Sequence, residues 1–262
     1  GFIASASVNL LSIYKNTPKG LKAISSAKAF DNLITTISWC NSYDLEGIIP
    51  LILLVGFDNG SVILFDVPSF SIISTFPLSE SAITSSEWSN IHSNHFFVGC
   101  QNGDLISVSL EKSTEKALTY DKFWSVSCSF PIEQLHTNEN DCQMLMVASN
   151  QGKFAIYDLI YNESPSQLFT GSFEEDPDIQ NKLNSITSTQ NTPFNSNPNF
   201  NSNATNTFST SAFFDIKNSK IFVQCGFHPH LNDIFYFVTQ TRIFYGFIKE
   251  KTTVSLFPTI TF

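Results

Sequence analysis

The stretch that decides the fold runs from Leu51 to Asp66 and reads LILLVGF, then DNG, then SVILFD. Two apolar runs are joined here by Asp58-Asn59-Gly60. Asn-Gly between such runs is a strong hairpin signal, because both residues tolerate the positive φ that a type I′ turn requires. The stretch therefore predicts two antiparallel strands with a type I′ turn at Asn59-Gly60.

The same unit returns along the chain. Further copies lie at 95–110 around Asn102-Gly103, at 144–158 around Gly152, at 2–14 and at 234–247. A repeat of about 40–45 residues is typical of a β-propeller, in which each blade is a four-stranded sheet. We therefore predict an all-β propeller with about five visible blades. Because an open arc would expose sheet edges, we expect these blades to be part of a larger propeller.

Each predicted blade also needs a strand before and after its hairpin. The patterns predict blade-opening strands at 34–39, 83–88, 123–130 and 221–227, and outer strands at 21–26, 71–76, 117–120, 167–171 and 253–257. The long final gap contains residues 174–211, a segment rich in Asn, Ser and Thr. Such a segment buries too little apolar surface to offset its ordering entropy, so we predict a disordered loop between blades of a single propeller over 1–262. Since the sequence opens on Gly1 without Met, we expect it to be an excerpt.

Composition limits the classes of partner. Apolar residues make up 42% of the chain and charged residues 14%, with 26 Phe, which favours strands over amphipathic helices. The net charge of -9 disfavours nucleic acid and anionic membranes, which both attract basic surfaces. The most apolar run, residues 48–57, is shorter than the roughly 20 residues of a membrane helix. We expect protein partners, no direct nucleic-acid contact, and at most indirect membrane contact.

The sequence offers no catalytic constellation. Gly152-Lys153 is followed by Phe154 rather than by Ser or Thr, and no Gly-x-Ser-x-Gly elbow occurs. Propeller glycosidases use paired carboxylates, but Asp58 and Asp66 fall at turns and no sialidase-type Asp-box is present. We therefore predict a protein that is not an enzyme and that carries no cofactor.

A metal site and a ligand cage are also disfavoured. The five cysteines are scattered without a C-x-x-C pair, which is typical of reduced thiols in a core. His92 with His95, and His228 with His230, lack supporting ligands at suitable spacing. The tryptophans fall in predicted blade-opening strands, where we expect them to pack in the core: Trp39, Trp88 and Trp124.

The third strands of two copies end in Phe65-Asp66 and Tyr157-Asp158, relaxed forms of the Trp-Asp pair of the WD-repeat family. Asp31 precedes Ile34 much as an Asp does in that family, whereas the Gly-His pair of its blades is missing. The chain resembles WD-repeat propellers over nearly its whole length. The resemblance implies a noncatalytic platform for protein–protein interaction, with the family's structural hydrogen-bond network in doubt.

Within the family, the order and lengths of the pieces are similar to the first propeller of a two-propeller scaffold. The matching segments are 1–4, Trp39-Cys40 with a long insertion after it, Phe65-Asp66-Val67 and 226–229. This similarity implies vesicle tethering at the trans-Golgi by a cytoplasmic, Golgi-associated protein. A similar match to a propeller subunit of a polymerase III transcription factor makes a nuclear transcription or chromatin complex the alternative. A propeller hydrolase is the third hypothesis.

Partners of WD-repeat proteins commonly dock on the loops before each first strand and on the turns between second and third strands. The residues at those positions are Phe30, Asp31, Asp58, Glu80, Gln101, Asn150 and Arg242. The competing interpretation is that these are solvated turn residues.

Overall fold

The computed structural model describes residues 1–25, 27–40, 51–89, 94–112, 118–138, 143–159, 164–172, 222–231, 233–239, 242–249 and 253–261. Within these ranges the chain is all-β and contains no helix. The loop predicted at 174–211 lies outside the described residues, as do His92 and Cys142.

Within the described residues, twenty strands form five antiparallel sheets, numbered I to V in chain order. Sheet I contains β1 (Phe2–Ser7), β2 (Leu10–Thr17), β3 (Gly20–Ala23) and β4 (Lys28–Ala29). Sheet II contains β5 (Ile34–Trp39), β6 (Ile52–Phe57), β7 (Ser61–Asp66) and β8 (Ser71–Pro77). Sheet III contains β9 (Ile83–Trp88), β10 (His95–Cys100), β11 (Asp104–Lys112) and β12 (Leu118–Ser127). Sheet IV contains β13 (Gln134–Thr137), β14 (Met144–Ala148), β15 (Lys153–Asp158) and β16 (Ser166–Ser172). Sheet V contains β17 (Phe222–Phe227), β18 (Ile234–Thr239), β19 (Arg242–Lys249) and β20 (Thr253–Thr261).

Sheets II to V share one topology, in which the four strands follow each other in chain order. Sheet I differs, because β3 pairs with one end of β2 and β4 with its other end. β3 and β4 are therefore two pieces of one outer strand. β1, β2 and this broken strand correspond to the second, third and fourth strands of the other sheets.

Apolar residues fill the space between successive sheets. Leu11 of sheet I packs with Leu53 of sheet II, and similar clusters join sheets II and III, III and IV, and IV and V. The first strands β5, β9, β13 and β17 lie side by side in that order. All six residues of β6 are buried, because both faces of sheet II are covered. These sheets, each packed on the next around a line of inner strands, are the blades of a β-propeller.

Side-chain hydrogen bonds join the inner strands across the blades. Ser86 on β9 meets Thr36 and Ser38 on β5 at oxygen–oxygen distances of 3.1 and 3.0 Å. Farther along, Thr137 donates to Glu87, and Gln134 accepts from the backbone N–H of Cys225. These polar groups of the inner strands are thus satisfied between blades, which limits the cost of burying them.

The second and third strands of every blade lie where the hairpin pattern predicts them, but the blade-opening strand predicted at 123–130 is wrong. Those residues belong mostly to β12, the outer strand of sheet III, which pairs with β11 over Asp104–Lys112. The opening strand of sheet IV is β13, a short and partly polar segment. Trp124 therefore lies on an outer strand, yet it still packs, with its ring 5.8 Å from that of Phe97.

The prediction of type I′ turns is also wrong. Gly60, Gly103 and Gly152 have φ of 78°, 92° and 93°, but the asparagine before the first two has no positive φ. The register leaves three residues in each loop, and Gly60 N donates to Phe57 O at 3.2 Å. This is a type I turn followed by a left-handed glycine. Asn59 contributes through its side chain, whose Oδ1 accepts from Ser61 N at 3.0 Å.

Candidate interaction rim

The loops between blades and the turns between second and third strands meet at one end of the sheets, and we call them together the rim. The loops are residues 30–33, 78–82 and 128–133, and the turns are residues 8–9, 58–60, 101–103 and 150–152. Each of these loops lies between the turns of two successive blades. The rim is therefore a continuous series in which loop and turn alternate.

The loop between sheets II and III shows how this series is held. Its Leu78 N and Ser79 N both donate to Gly60 O of the preceding blade at 3.1 Å. On the other side, Gln101 N of the following blade donates to Ala82 O at 2.9 Å, and Asn102 N donates to the Ser81 hydroxyl at 3.1 Å. The loop is thus fixed by backbone bonds to both of its neighbours.

The flanking junctions use the same kind of contact. Ile34 N donates to Val8 O at 2.7 Å, and Cys128 N donates to Gly103 O at 2.8 Å. On the other side of the loop that contains Cys128, Asn150 N and the Ser149 hydroxyl both donate to the Glu133 carboxylate. The exposed side chains of the rim therefore stand on a backbone with few free polar groups.

The structure places six of the seven predicted partner-binding residues on this rim and describes the backbone alone for the seventh. Asp31, Asp58, Glu80 and Gln101 are exposed, whereas Phe30 and Asn150 are half-buried. Arg242 opens β19 at the corresponding turn of sheet V, and its side chain lies outside the described residues.

Three of these residues also have structural contacts. Asp58 Oδ1 accepts from Leu33 N at 3.0 Å, and Asn150 Oδ1 accepts from Gln134 at 3.1 Å. The ring of Phe30 packs edge-on against that of Phe57 at 5.3 Å. Asp58 is therefore not a free surface charge, and reversing its charge would disturb the rim itself. Asp31, Glu80 and Gln101 are the predicted residues whose side chains are open to a partner.

A groove of about 500 Å³ opens beside the rim, between sheets II and III. The segment from Pro77 to Glu80 forms one wall of this groove. The remaining lining residues are Asn102, Asp104, Ile106, Lys122 and Ser125. Of these lining residues, only Glu80 is among the partner-binding residues predicted from the sequence.

In the described part of the chain, no group of three or more His, Cys, Asp or Glu side chains is placed so that it could hold a metal ion. Burial raises the pKa of the Cys225 thiol to about 12, and burial also raises the pKa of Cys100 and Cys128. These thiols stay protonated at neutral pH and are poor nucleophiles. Among the same residues, no helix has the length and apolar character needed to cross a membrane.

Comparison with known proteins supports the fold. No protein-family model and no curated protein matches the sequence. A chain in the crystal structure of the mitotic checkpoint complex is similar, with a TM-score of 0.58, 14% identity, and coverage of 94% of this chain and 56% of that chain.

Chains from two polycomb repressive complex 2 structures are also similar to this chain. A chain of an active polycomb repressive complex 2 in the basal state has a TM-score of 0.63 and 9% identity over 96% of this chain and 47% of its own. A chain of a humanized mutant of the Chaetomium thermophilum complex, bound to the inhibitor GSK126, has a TM-score of 0.63 and 10% identity. The match covers 95% of this chain and 46% of that chain.

The similar chains are WD40 β-propeller proteins, so the fold is a WD-repeat-type β-propeller, as the sequence predicts. This chain spans about half the length of those structures. The five blades formed by the described part of the chain are consistent with a partial propeller.

Proposed function

We propose that this protein is a noncatalytic scaffold that binds other proteins through its rim. The observation that carries the proposal is the construction of the rim, where exposed Asp31, Glu80 and Gln101 stand on loops bonded to blades on both sides. A surface held in this way loses little conformational entropy when a partner binds. The absence of a catalytic motif from the sequence supports the same function.

The kind of complex is a separate proposal. The similar chains come from a mitotic checkpoint complex and polycomb repressive complex 2, and membership of such assemblies supports a role in a complex of several proteins. The order and lengths of the sequence segments resemble the first propeller of a two-propeller scaffold, and this resemblance favours vesicle tethering at the trans-Golgi by a cytoplasmic protein. The alternative is a nuclear transcription or chromatin complex, which the polycomb neighbours favour.

Proximity labelling from this chain in cells tests both proposals. The test variant is Asp31→Lys, because Asp31 is exposed and has no hydrogen-bond partner among the described residues. Exposed charges affect association more than folding, so we expect weaker recovery of partners with an unchanged melting temperature. Glu111→Lys is the matched control, since Glu111 is also exposed but lies near the opposite end of β11.

The outcomes separate the hypotheses. Recovery of tethering and coat proteins would support a role in vesicle trafficking. Recovery of chromatin or polymerase subunits would show that the trafficking proposal is wrong and would support the nuclear complex. Equal loss of partners in Asp31→Lys and Glu111→Lys would show that the rim is not the binding surface. Glycoside cleavage by the purified protein would overturn the scaffold proposal altogether.

A further inference from the structure

The groove between sheets II and III has a fixed shape. Its wall segment is attached to β12, because the Tyr120 hydroxyl donates to Pro77 O at 3.3 Å and the Lys122 ammonium donates to Leu78 O. The rings of Phe76 and Tyr120 pack at 4.7 Å just beside these bonds. The groove is therefore formed before any ligand arrives.

The open polar groups of the groove are mostly hydrogen-bond acceptors. Asp104 uses one carboxylate oxygen, Oδ2, to accept from the Asn102 amide at 2.7 Å, which leaves Oδ1 open. Glu80 is exposed, and its carboxylate has no partner among the described residues. The one ammonium, on Lys122, already donates to Leu78 O. Two carboxylates thus face a ligand with one partly engaged cation.

Two apolar side chains of the groove lining, Leu78 and Ile106, belong to the core between sheets II and III. A groove that combines apolar lining with open acceptors suits a side chain with an aliphatic stem and a donor-rich head. Arginine has both, since its guanidinium carries five N–H donors and no acceptor.

We propose that this groove binds an arginine side chain of a partner protein. The guanidinium donates to the carboxylates of Glu80 and Asp104, while the stem lies over Ile106. The charge of the whole chain, -9, favours the approach of such a basic segment. This inference rests on the scaffold function and names the chemistry of one contact.

The test is an NMR titration of the full chain with the capped tripeptide Gly-Arg-Gly. We expect saturable shifts of backbone amides at 78–80, 102–106 and 122–125, with a Kd on the order of 1 mM, as one side chain allows. The capped peptides Gly-Leu-Gly and Gly-Glu-Gly are the comparison ligands. Stronger binding of either one at the same amides would overturn the proposal.

Variants of the same size and shape but without charge test whether the arginine binds to the carboxylates of Glu80 and Asp104. Glu80→Gln with Asp104→Asn keeps the shape of the groove but removes both charges, so we expect the Kd for Gly-Arg-Gly to rise at least about tenfold. Glu111→Gln removes an exposed carboxylate outside both the groove and the rim and should leave the Kd unchanged. A similar loss in Glu111→Gln would show that net charge, and not the groove, attracts the peptide.

The two proposals fail separately. If partners are recovered by labelling but Gly-Arg-Gly leaves the groove amides unshifted at about 10 mM, the groove proposal is wrong and the scaffold stands. If the peptide binds in the groove but no partner protein depends on the rim, the scaffold proposal is wrong.

Discussion

Replacing Gly60 by alanine measures how much the rim contributes to stability. Gly60 has φ of +78°, and a Cβ there would lie 2.0 Å from the carbonyl oxygen of Ser79. Alanine in this backbone conformation costs about 1 kcal/mol. Ser79 would also have to move away, which breaks the two 3.1 Å hydrogen bonds from Leu78 N and Ser79 N to Gly60 O.

Each of these two bonds contributes roughly 1 kcal/mol, so we expect Gly60→Ala to lower the free energy of unfolding by about 3 kcal/mol. Gly20→Ala is the matched control. Gly20 has φ of +108°, and a Cβ there would meet no atom within 4 Å. That variant should lose only the backbone contribution, about 1 kcal/mol.

Urea unfolding followed by tryptophan fluorescence compares the two variants. If the wild type and both variants show the same slope of unfolding free energy against urea concentration, differences between their midpoints measure differences in stability. Losses of the same size in Gly60→Ala and Gly20→Ala would refute the reasoning, because they would mean that the contact with Ser79 contributes nothing.

Two further predictions concern titration and reactivity. Burial lowers the pKa of His136 from its ordinary value of 6.5, so the unfolded chain binds a proton that the folded chain resists. The urea midpoint should therefore fall as pH drops from about 7 to about 5, and His136→Gln should flatten that fall; a variant whose pH profile runs parallel to the wild type would contradict this. In a Cys142→Ser background, Ellman's reagent should react with half-buried Cys40 well before buried Cys100, Cys128 and Cys225. Cys40→Ser should remove the fast phase, and a fast phase that persists would place an accessible thiol elsewhere.

The hairpins of each blade could be predicted because their signals are local. The runs around Gly60 and Gly103 are apolar, and the glycine marks where the chain reverses. β13 could not be predicted in this way, since Gln134–Thr137 is four residues long and three of its four side chains are polar. Its position depends on contacts with β9 and β17, which lie far away in the sequence.

The candidate site was predictable in location but not in detail. The family resemblance places Asp58 and Glu80 at the end of the sheets where the rim lies. The hydrogen bond from Leu33 N to Asp58 joins residues 25 positions apart, so no local pattern reveals it. The groove could not be foreseen, because Lys122 and Ser125 both lie on β12, whereas the sequence placed Ser125 in the opening strand of the next blade and Lys122 in no strand.

Because loops and turns alternate along the rim, the turn of each of sheets I to III also contacts the loop that leads into the next blade. Gly60 belongs to sheet II by sequence, yet its carbonyl oxygen supports the loop that leads into sheet III. A change in one turn must therefore be matched by the loop that follows it, and the repeats cannot diverge independently at these points. Elsewhere in each blade a side chain needs only to be apolar and of suitable size. By contrast, the turns of sheets II, III and IV share one constraint: each has three residues and ends in a glycine of positive φ, namely Gly60, Gly103 and Gly152.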